Sequence, residues 1–195
     1  GGTFDPIHQG HIGVAQSVRE NLDVHEVWFV PAGKPWMKQG SPVLPARHRR
    51  RMIELAIAQH EGFSVCSVEL NKLGESYTVD TLQVLREQIN IEDELIFIIG
   101  ADNLENFHRW KTPGVILEMA TLAVVSRPGY EMAHVPELGA LVTGPPPPIL
   151  VIPEPVADID SSTIRDRVSR GLPIQGLVPD AVIKYIELHG LYRES

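Results

Sequence analysis

Two histidines three residues apart, His8 and His11, flank Gly10 in the opening stretch GGTFDPIHQGHIG. At the start of a helix that spacing lets both imidazoles face one ligand. Imidazoles there donate hydrogen bonds to phosphate oxygens and, when charged, stabilise the negative charge that builds during phosphoryl transfer. Gly1 and Gly2 let a backbone approach a ligand with no Cβ in the way, and Asp5-Pro6 makes a rigid turn. A helix from about His11 to Leu22, apolar at Ile12, Val14, Ala15, Val18 and Leu22, would aim its free N–H groups into that turn, where an anion is favoured. A histidine pair or a glycine pair alone is usually a surface or turn feature. The conjunction at fixed short spacing carries the reading.

Strand-like and helix-like segments alternate behind that opening. Val24 to Val30, Phe63 to Leu70, Leu95 to Ile99, Leu122 to Val125 and Ile149 to Ile152 read as strands. Ala46 to His60 reads as a helix, apolar at Met52, Ile53, Leu55, Ala56 and Ile57, with Arg47, Arg49, Arg50 and Arg51 crowding its start. Thr78 is placed to cap the next helix, and two more run from Ser162 to Arg170 and from Pro179 to His189. Apolar strands alternating with helices predict an α/β fold: a Rossmann-like, doubly wound, mainly parallel sheet covered by helices on both faces, with C-terminal helices. In such sheets ligands bind beyond the carboxyl ends of the strands. Gly139 to Pro148, with its four consecutive prolines, is excluded from helix or central strand, and 130–148 is expected to be a loop excursion.

With 195 residues and no internal repeat, a single domain over 1–195 is expected. The net charge of −8 argues against nucleic acid or an anionic membrane as partner, and no apolar run is long enough to span a bilayer. An anionic substrate would therefore need a local concentration of cations. One cysteine, Cys66, makes no internal disulfide and suits a reduced, cytoplasmic home. The eight histidines and the cysteine lack zinc-site spacing.

GGTFDPIHQGH resembles the signature of the bacterial nicotinate-mononucleotide adenylyltransferases, within the nucleotidyltransferase superfamily that shares HxGH. The resemblance runs along nearly the whole chain: EVWFVPAGKPWMK, ESYTVDTL, FIIGADNLENFHRW, VSRPGY, STIR and LVPDAVIKYIELHGLY each resemble a family element. HxGH alone would give only the superfamily, whereas the Ser-Tyr-Thr and Arg-Trp elements point to the pyridine nucleotide branch. The implied reaction moves the adenylyl group of ATP to nicotinate mononucleotide, giving nicotinate adenine dinucleotide and pyrophosphate in NAD biosynthesis. Mg²⁺ is expected with ATP as its magnesium complex, without a dedicated protein cage. A homo-oligomer is compatible with this reading. The resemblance also implies a short apolar strand ahead of Gly1, so the native protein is expected to begin earlier.

Residue by residue, the resemblance assigns His8 and His11 to the ATP phosphates, with Gly2, Thr3 and Phe4 supplying backbone contacts. Arg165 and Ser162 belong to a helix start that holds the β- and γ-phosphates, and Lys38 to a mobile phosphate contact. Arg49 best matches the family position among the basic cluster. Thr78 helps place the nicotinate, Trp110 stacks on its ring, Gly100 and Asp102 serve the ribose side, and Arg127 follows the next strand as a further contact. Two departures stand out. Asp160 replaces a serine of the family motif and is expected either to turn outward or to cap the helix, and Met37 stands where the family often has histidine. Two readings compete: a sister transferase for phosphopantetheine or a sugar or alcohol phosphate, and a non-catalytic nucleotide-binding module. A dinucleotide-binding dehydrogenase is disfavoured because the opening lacks GxGxxG.

Overall fold

The computed structural model describes residues 1–34, 43–72, 74–126, 138–144, 148–153 and 159–193. Its elements, in chain order, are α1 (Gln9–Leu22), β1 (Val27–Phe29), α2 (Ala46–Ile57), β2 (Phe63–Val65), α3 (Thr78–Arg86), β3 (Ile96–Gly100), α4 (Ala101–Glu105), α5 (Pro113–Met119), β4 (Thr121–Ser126), β5 (Ile149–Pro153), α6 (Ser161–Ser169) and α7 (Asp180–Leu188). They fall into two compact units, Gly1–Leu73 with Pro155–Ser195, and Gly74–Glu154.

In the first unit β1 and β2 pair in parallel, with Val27 opposite Phe63 and Phe29 opposite Val65. The helix α2 is the crossover that a parallel pair requires. Its inward face is Met52, Ile53, Ala56 and Ile57, and α1 buries Ile12, Ala15 and Val18. The opening turn is fastened just past β1: Gly2 donates its N–H to the Val30 carbonyl at 3.1 Å and accepts from the Ala32 N–H at 2.8 Å. The α2 and α7 helices pack together, and α7 contributes the buried Val182, Ile183 and Ile186.

In the second unit β3, β4 and β5 form a parallel sheet in that order, Ile98 opposite Ala123 and Ala123 opposite Leu150. Leu122 and Val124 are wholly buried and share a core with Val79 and Leu82 of α3, Leu104 of α4, Ile116 of α5 and Phe107. Gly114 permits a close approach in this unit, because a Cβ there would lie 2.2 Å from the Leu141 carbonyl oxygen.

The expected α/β architecture with parallel strands and flanking helices is what forms, and the differences lie at element ends. The strand expected to reach Leu70 stops at Val65, because the Leu70 N–H turns back to the Ser67 carbonyl. The helix expected to reach His60 ends at Ile57, where the His60 N–H closes a tight turn ahead of the left-handed Gly62. Thr78 is the first residue of α3 rather than its cap, which is Tyr77. A 3-10 turn occupies Leu138–Leu141, within the stretch expected to hold no helix; the proline run starts only at 145, so its helix-breaking effect does not extend that far back. Residues 145–147 of that run lie outside the described residues.

Candidate active site

The opening turn is held from several sides. Arg49, 1% exposed, spends its guanidinium on backbone carbonyls: Nη1 to Thr3 at 2.8 Å, Nη2 to Ala32 at 2.7 Å and Nε to Leu44 at 3.0 Å. Arg165 donates Nη1 to the Asp5 carbonyl at 2.7 Å, and Ser161 donates its hydroxyl to the Pro6 carbonyl at 2.9 Å. The buried Asp5 carboxylate accepts from the Tyr192 hydroxyl at 2.6 Å and from the Leu44 N–H at 3.3 Å. Phe4 sits in the left-handed region at φ 50 and is 6% exposed, its ring against Phe29 and edge-on to His11. A bulky residue holds that conformation only when its surroundings impose it, a pattern that clusters at functional sites.

The helix α1 begins at Gln9, two residues ahead of the expected start, which makes His8 its cap position and puts His11 in its first turn. The His8 backbone N–H donates to His11 Nδ1 at 3.2 Å. That bond fixes Nδ1 as an acceptor, so the neutral His11 ring carries its proton on Nε2 as a donor. The two imidazoles stack at 3.6 Å between centroids with an interplanar angle of 29°. His8 is buried, and desolvation pushes its pKa down to about 4 against the opposing pull of Asp160. Its Nδ1 is buried with no hydrogen-bond partner. At neutral pH His8 is therefore uncharged, and it fills a cap position at this helix N-terminus that Ser, Thr, Asp or Asn more often takes.

Asp160 takes the second of its two expected roles. Its carboxylate caps α6, accepting from the Thr163 N–H at 2.8 Å, the Thr163 hydroxyl at 2.7 Å and the Ser162 hydroxyl. Those bonds hold its pKa well below the usual carboxylate range. The Ser162 hydroxyl is thus committed as a donor to Asp160, and Ser162 itself is exposed.

Thr78, Gly100, Asp102 and Trp110 all lie in the second unit. Thr78 opens α3, Gly100 ends β3 as the cap of α4, and Asp102 stands exposed in the first turn of α4. Trp110 packs its ring at 5.3 Å from Phe107 and 6.0 Å from Phe97, and its indole N–H is buried without a partner. Lys38, Met37 and Arg127 lie outside the described residues.

The basic cluster sorts itself by geometry. Arg49 turns inward, while Arg50 and Arg51 pair with Glu54 at 2.9 and 3.0 Å. Burial lowers the Arg49 pKa, and the neighbouring Asp5 opposes that shift. Sequence reasoning missed two members of the site. In the sequence Asp5 reads only as a turn former and Tyr192 only as part of the stretch LVPDAVIKYIELHGLY, although a tyrosine just past a helix end and a buried aspartate form a natural donor–acceptor pair. Among the described residues no group of three or more His, Cys, Asp or Glu could hold a metal ion, and no helix is long and apolar enough to cross a membrane.

Residues 1–167 match the cytidylyltransferase-like family. A Roseiflexus protein named "Probable nicotinate-nucleotide adenylyltransferase" is 44% identical over 193 residues, covering 99% of this chain and 96% of that one. A Mycolicibacterium gilvum protein of the same name is 41% identical and covers 100% of this chain and 95% of its own length. The fold is also similar to the solved Plasmodium falciparum nicotinic acid mononucleotide adenylyltransferase complexed with NaAD, at TM-score 0.77 and 18% identity over 98% of this chain and 94% of that chain.

Proposed function

Because the chain belongs to the cytidylyltransferase-like family, and within it to the nicotinate-nucleotide adenylyltransferases, we propose that it transfers the adenylyl group of ATP to nicotinate mononucleotide in NAD biosynthesis, with the residues of the opening turn in the roles below. A phosphate oxygen of the mononucleotide attacks the α-phosphorus of ATP, a new P–O bond forms in line, and the bond to the departing pyrophosphate breaks. Such a reaction asks for positioning and charge stabilisation rather than covalent help.

The single observation that carries the site assignment is the His8–His11 stack at the start of α1, with His11 Nε2 as the ring's donor. The α1 N–H groups and both imidazoles form a donor array for phosphate oxygens. Approach of the polyphosphate raises the proton affinity of His8, so the ring gains positive charge as negative charge builds. Arg165 supplies a permanent cation beside Asp5, and Ser162, its hydroxyl held by Asp160, stands at the α6 start, whose backbone N–H groups meet the outer phosphates. Arg49 acts through the backbone it holds: its bond to the Thr3 carbonyl keeps Gly2, Thr3 and Phe4 in the shape that meets the substrate. Thr78 and Trp110 bind the nicotinate, Gly100 and Asp102 the ribose side, Lys38 a further phosphate oxygen, and Arg127 adds a substrate contact.

ATP enters as its magnesium complex, with the metal carried on the phosphates as part of the substrate. The family match over 1–167 and full-length relatives support one nucleotidyltransferase domain over 1–195. The lone Cys66 supports a cytoplasmic setting.

The test is product and stereochemistry together. ATP carrying a chiral α-phosphorothioate, with magnesium and nicotinate mononucleotide, should yield the dinucleotide with inversion at the α-phosphorus. Retention would replace direct displacement with a covalent adenylyl-enzyme, and absence of the dinucleotide would overturn the proposal.

A further inference from the structure

Three features of the second unit converge on the residue that follows Trp110. Lys111 Nζ lies 2.9 Å from Asp80 Oδ1, in the first turn of α3, and 4.7 Å from the centroid of the Tyr77 ring at the cap of that helix. The Tyr77 hydroxyl in turn donates to the Glu75 carboxylate. Thr112 holds φ 44 and ψ 61, a left-handed conformation that a β-branched residue adopts only under constraint. Trp110 itself is fastened from one side, by the rings of Phe97 and Phe107 and by its backbone N–H to the Phe107 carbonyl at 3.0 Å.

We infer that Lys111 is a positioning residue that clamps the Trp110 segment to the start of α3, and so sets the affinity for the nicotinate ring without entering the chemistry. This rests on the reading that Trp110 and Thr78 bind that ring. Thr112 is held on its α5 side, where its carbonyl accepts from the Val115 and Ile116 N–H groups at 3.1 and 3.4 Å, and the Lys111 ammonium holds the chain on the other side. One cation thereby engages residues on both sides of Thr78 in the sequence: the Tyr77 face by cation–π attraction and the Asp80 carboxylate by a charge-assisted bond. Asp80 is itself favoured at that helix start by the dipole, so the anchor point is fixed before Lys111 reaches it.

The side chains of Lys111 and Asp80 are 47% and 26% exposed, which limits the clamp to a modest, salt-screened contribution. Losing it should raise the KM for nicotinate mononucleotide by about threefold to tenfold. The KM for ATP and kcat should stay within about twofold. Uniform loss of fold would move all three together.

The experiment compares full-length wild type with Lys111→Met, Lys111→Arg, Asp80→Asn and the double variant Asp80→Asn/Lys111→Met. Steady-state kinetics are paired with the ¹⁵N–¹H indole resonance of Trp110, assigned by its loss in Trp110→Phe. Lys111→Met and Asp80→Asn should each raise the mononucleotide KM, the double variant should be no worse than the poorer single one, and Lys111→Arg should restore wild-type values. The Trp110 indole line should shift or broaden in Lys111→Met and return in Lys111→Arg. An unmoved indole line, a fall in kcat at constant KM, or additive single effects would overturn the clamp. A wild type that makes no dinucleotide would overturn the function reading instead, and the indole line would still decide the clamp.

Discussion

A Cβ on residue 10 would lie 3.0 Å from Nδ1 of His8 and 3.2 Å from its Cε1. The glycine between the two histidines therefore leaves the first ring room that any other residue would narrow. The His8 ring leans over the first turn of α1 so closely that a Cβ there would push it by a few tenths of an ångström, and the His11 ring stacks on it. Alanine at that position would help helix propensity by roughly 0.5–1 kcal/mol while displacing the imidazole. Gly10→Ala should therefore keep its melting temperature within a few degrees and lose at least about tenfold in kcat. Unchanged turnover would remove the ring's placement from the account.

Substituting His11 tests the donor array directly. His11→Ala deletes the Nε2 donor and the acceptor for the His8 N–H at 3.2 Å. The expected loss in kcat is about 10²–10³-fold, the scale of removing one preorganised donor from a developing anion. Single-turnover kinetics with saturating substrates would check it, and circular dichroism would confirm that α1 persists.

The depressed pKa of His8 links stability to pH. The ring is neutral in the folded state down to about 4, while in the unfolded chain it titrates near 6.5, so between those values the unfolded state binds more protons. Stability must then rise with pH from about 4 to about 6.5, and fall as pH drops through that window. The size is roughly 3 kcal/mol at its fullest. Urea unfolding at pH 4.5 and pH 7.5 should show a smaller difference for His8→Asn than for wild type. A bound nucleoside triphosphate should oppose the effect, because it favours the charged ring.

The sequence made the strand and helix order legible because its signals were local: apolar runs for β3 and β4, and 3.6-residue periodicity for α2 and α7. The turn geometry was equally legible, since His8, Gly10 and His11 pack together at their fixed spacing. What stayed hidden was long-range. Only the resemblance set Arg49 apart from the other arginines of its helix, and only the fold shows it buried, donating to the carbonyls of Thr3, Ala32 and Leu44. Nothing near Tyr192 in sequence announces Asp5, because the two are separated by 187 positions. The one-residue error at Thr78 has a simpler cause: a hydroxyl residue suits the cap and the first turn almost equally.

Arg49 offers a stability prediction that separates scaffold from chemistry. Arg49→Met would leave the carbonyls of Thr3, Ala32 and Leu44 without their donors, at a cost of about 3 kcal/mol or more. Arg49→Lys should recover little of it, because a single ammonium cannot replace three guanidinium directions. Equilibrium urea denaturation would measure both variants, and a cost below about 1 kcal/mol would contradict the clamp on the opening turn.

The central claim is that this chain adenylylates the acid mononucleotide. Its most direct measurement is pyrophosphate release by full-length protein with ATP and magnesium, run side by side with nicotinate mononucleotide, nicotinamide mononucleotide and 4′-phosphopantetheine. The account predicts turnover with the nicotinate substrate, and a higher kcat/KM for it than for either competitor. Turnover with phosphopantetheine alone, or ATP binding with no turnover on any of the three, would contradict it.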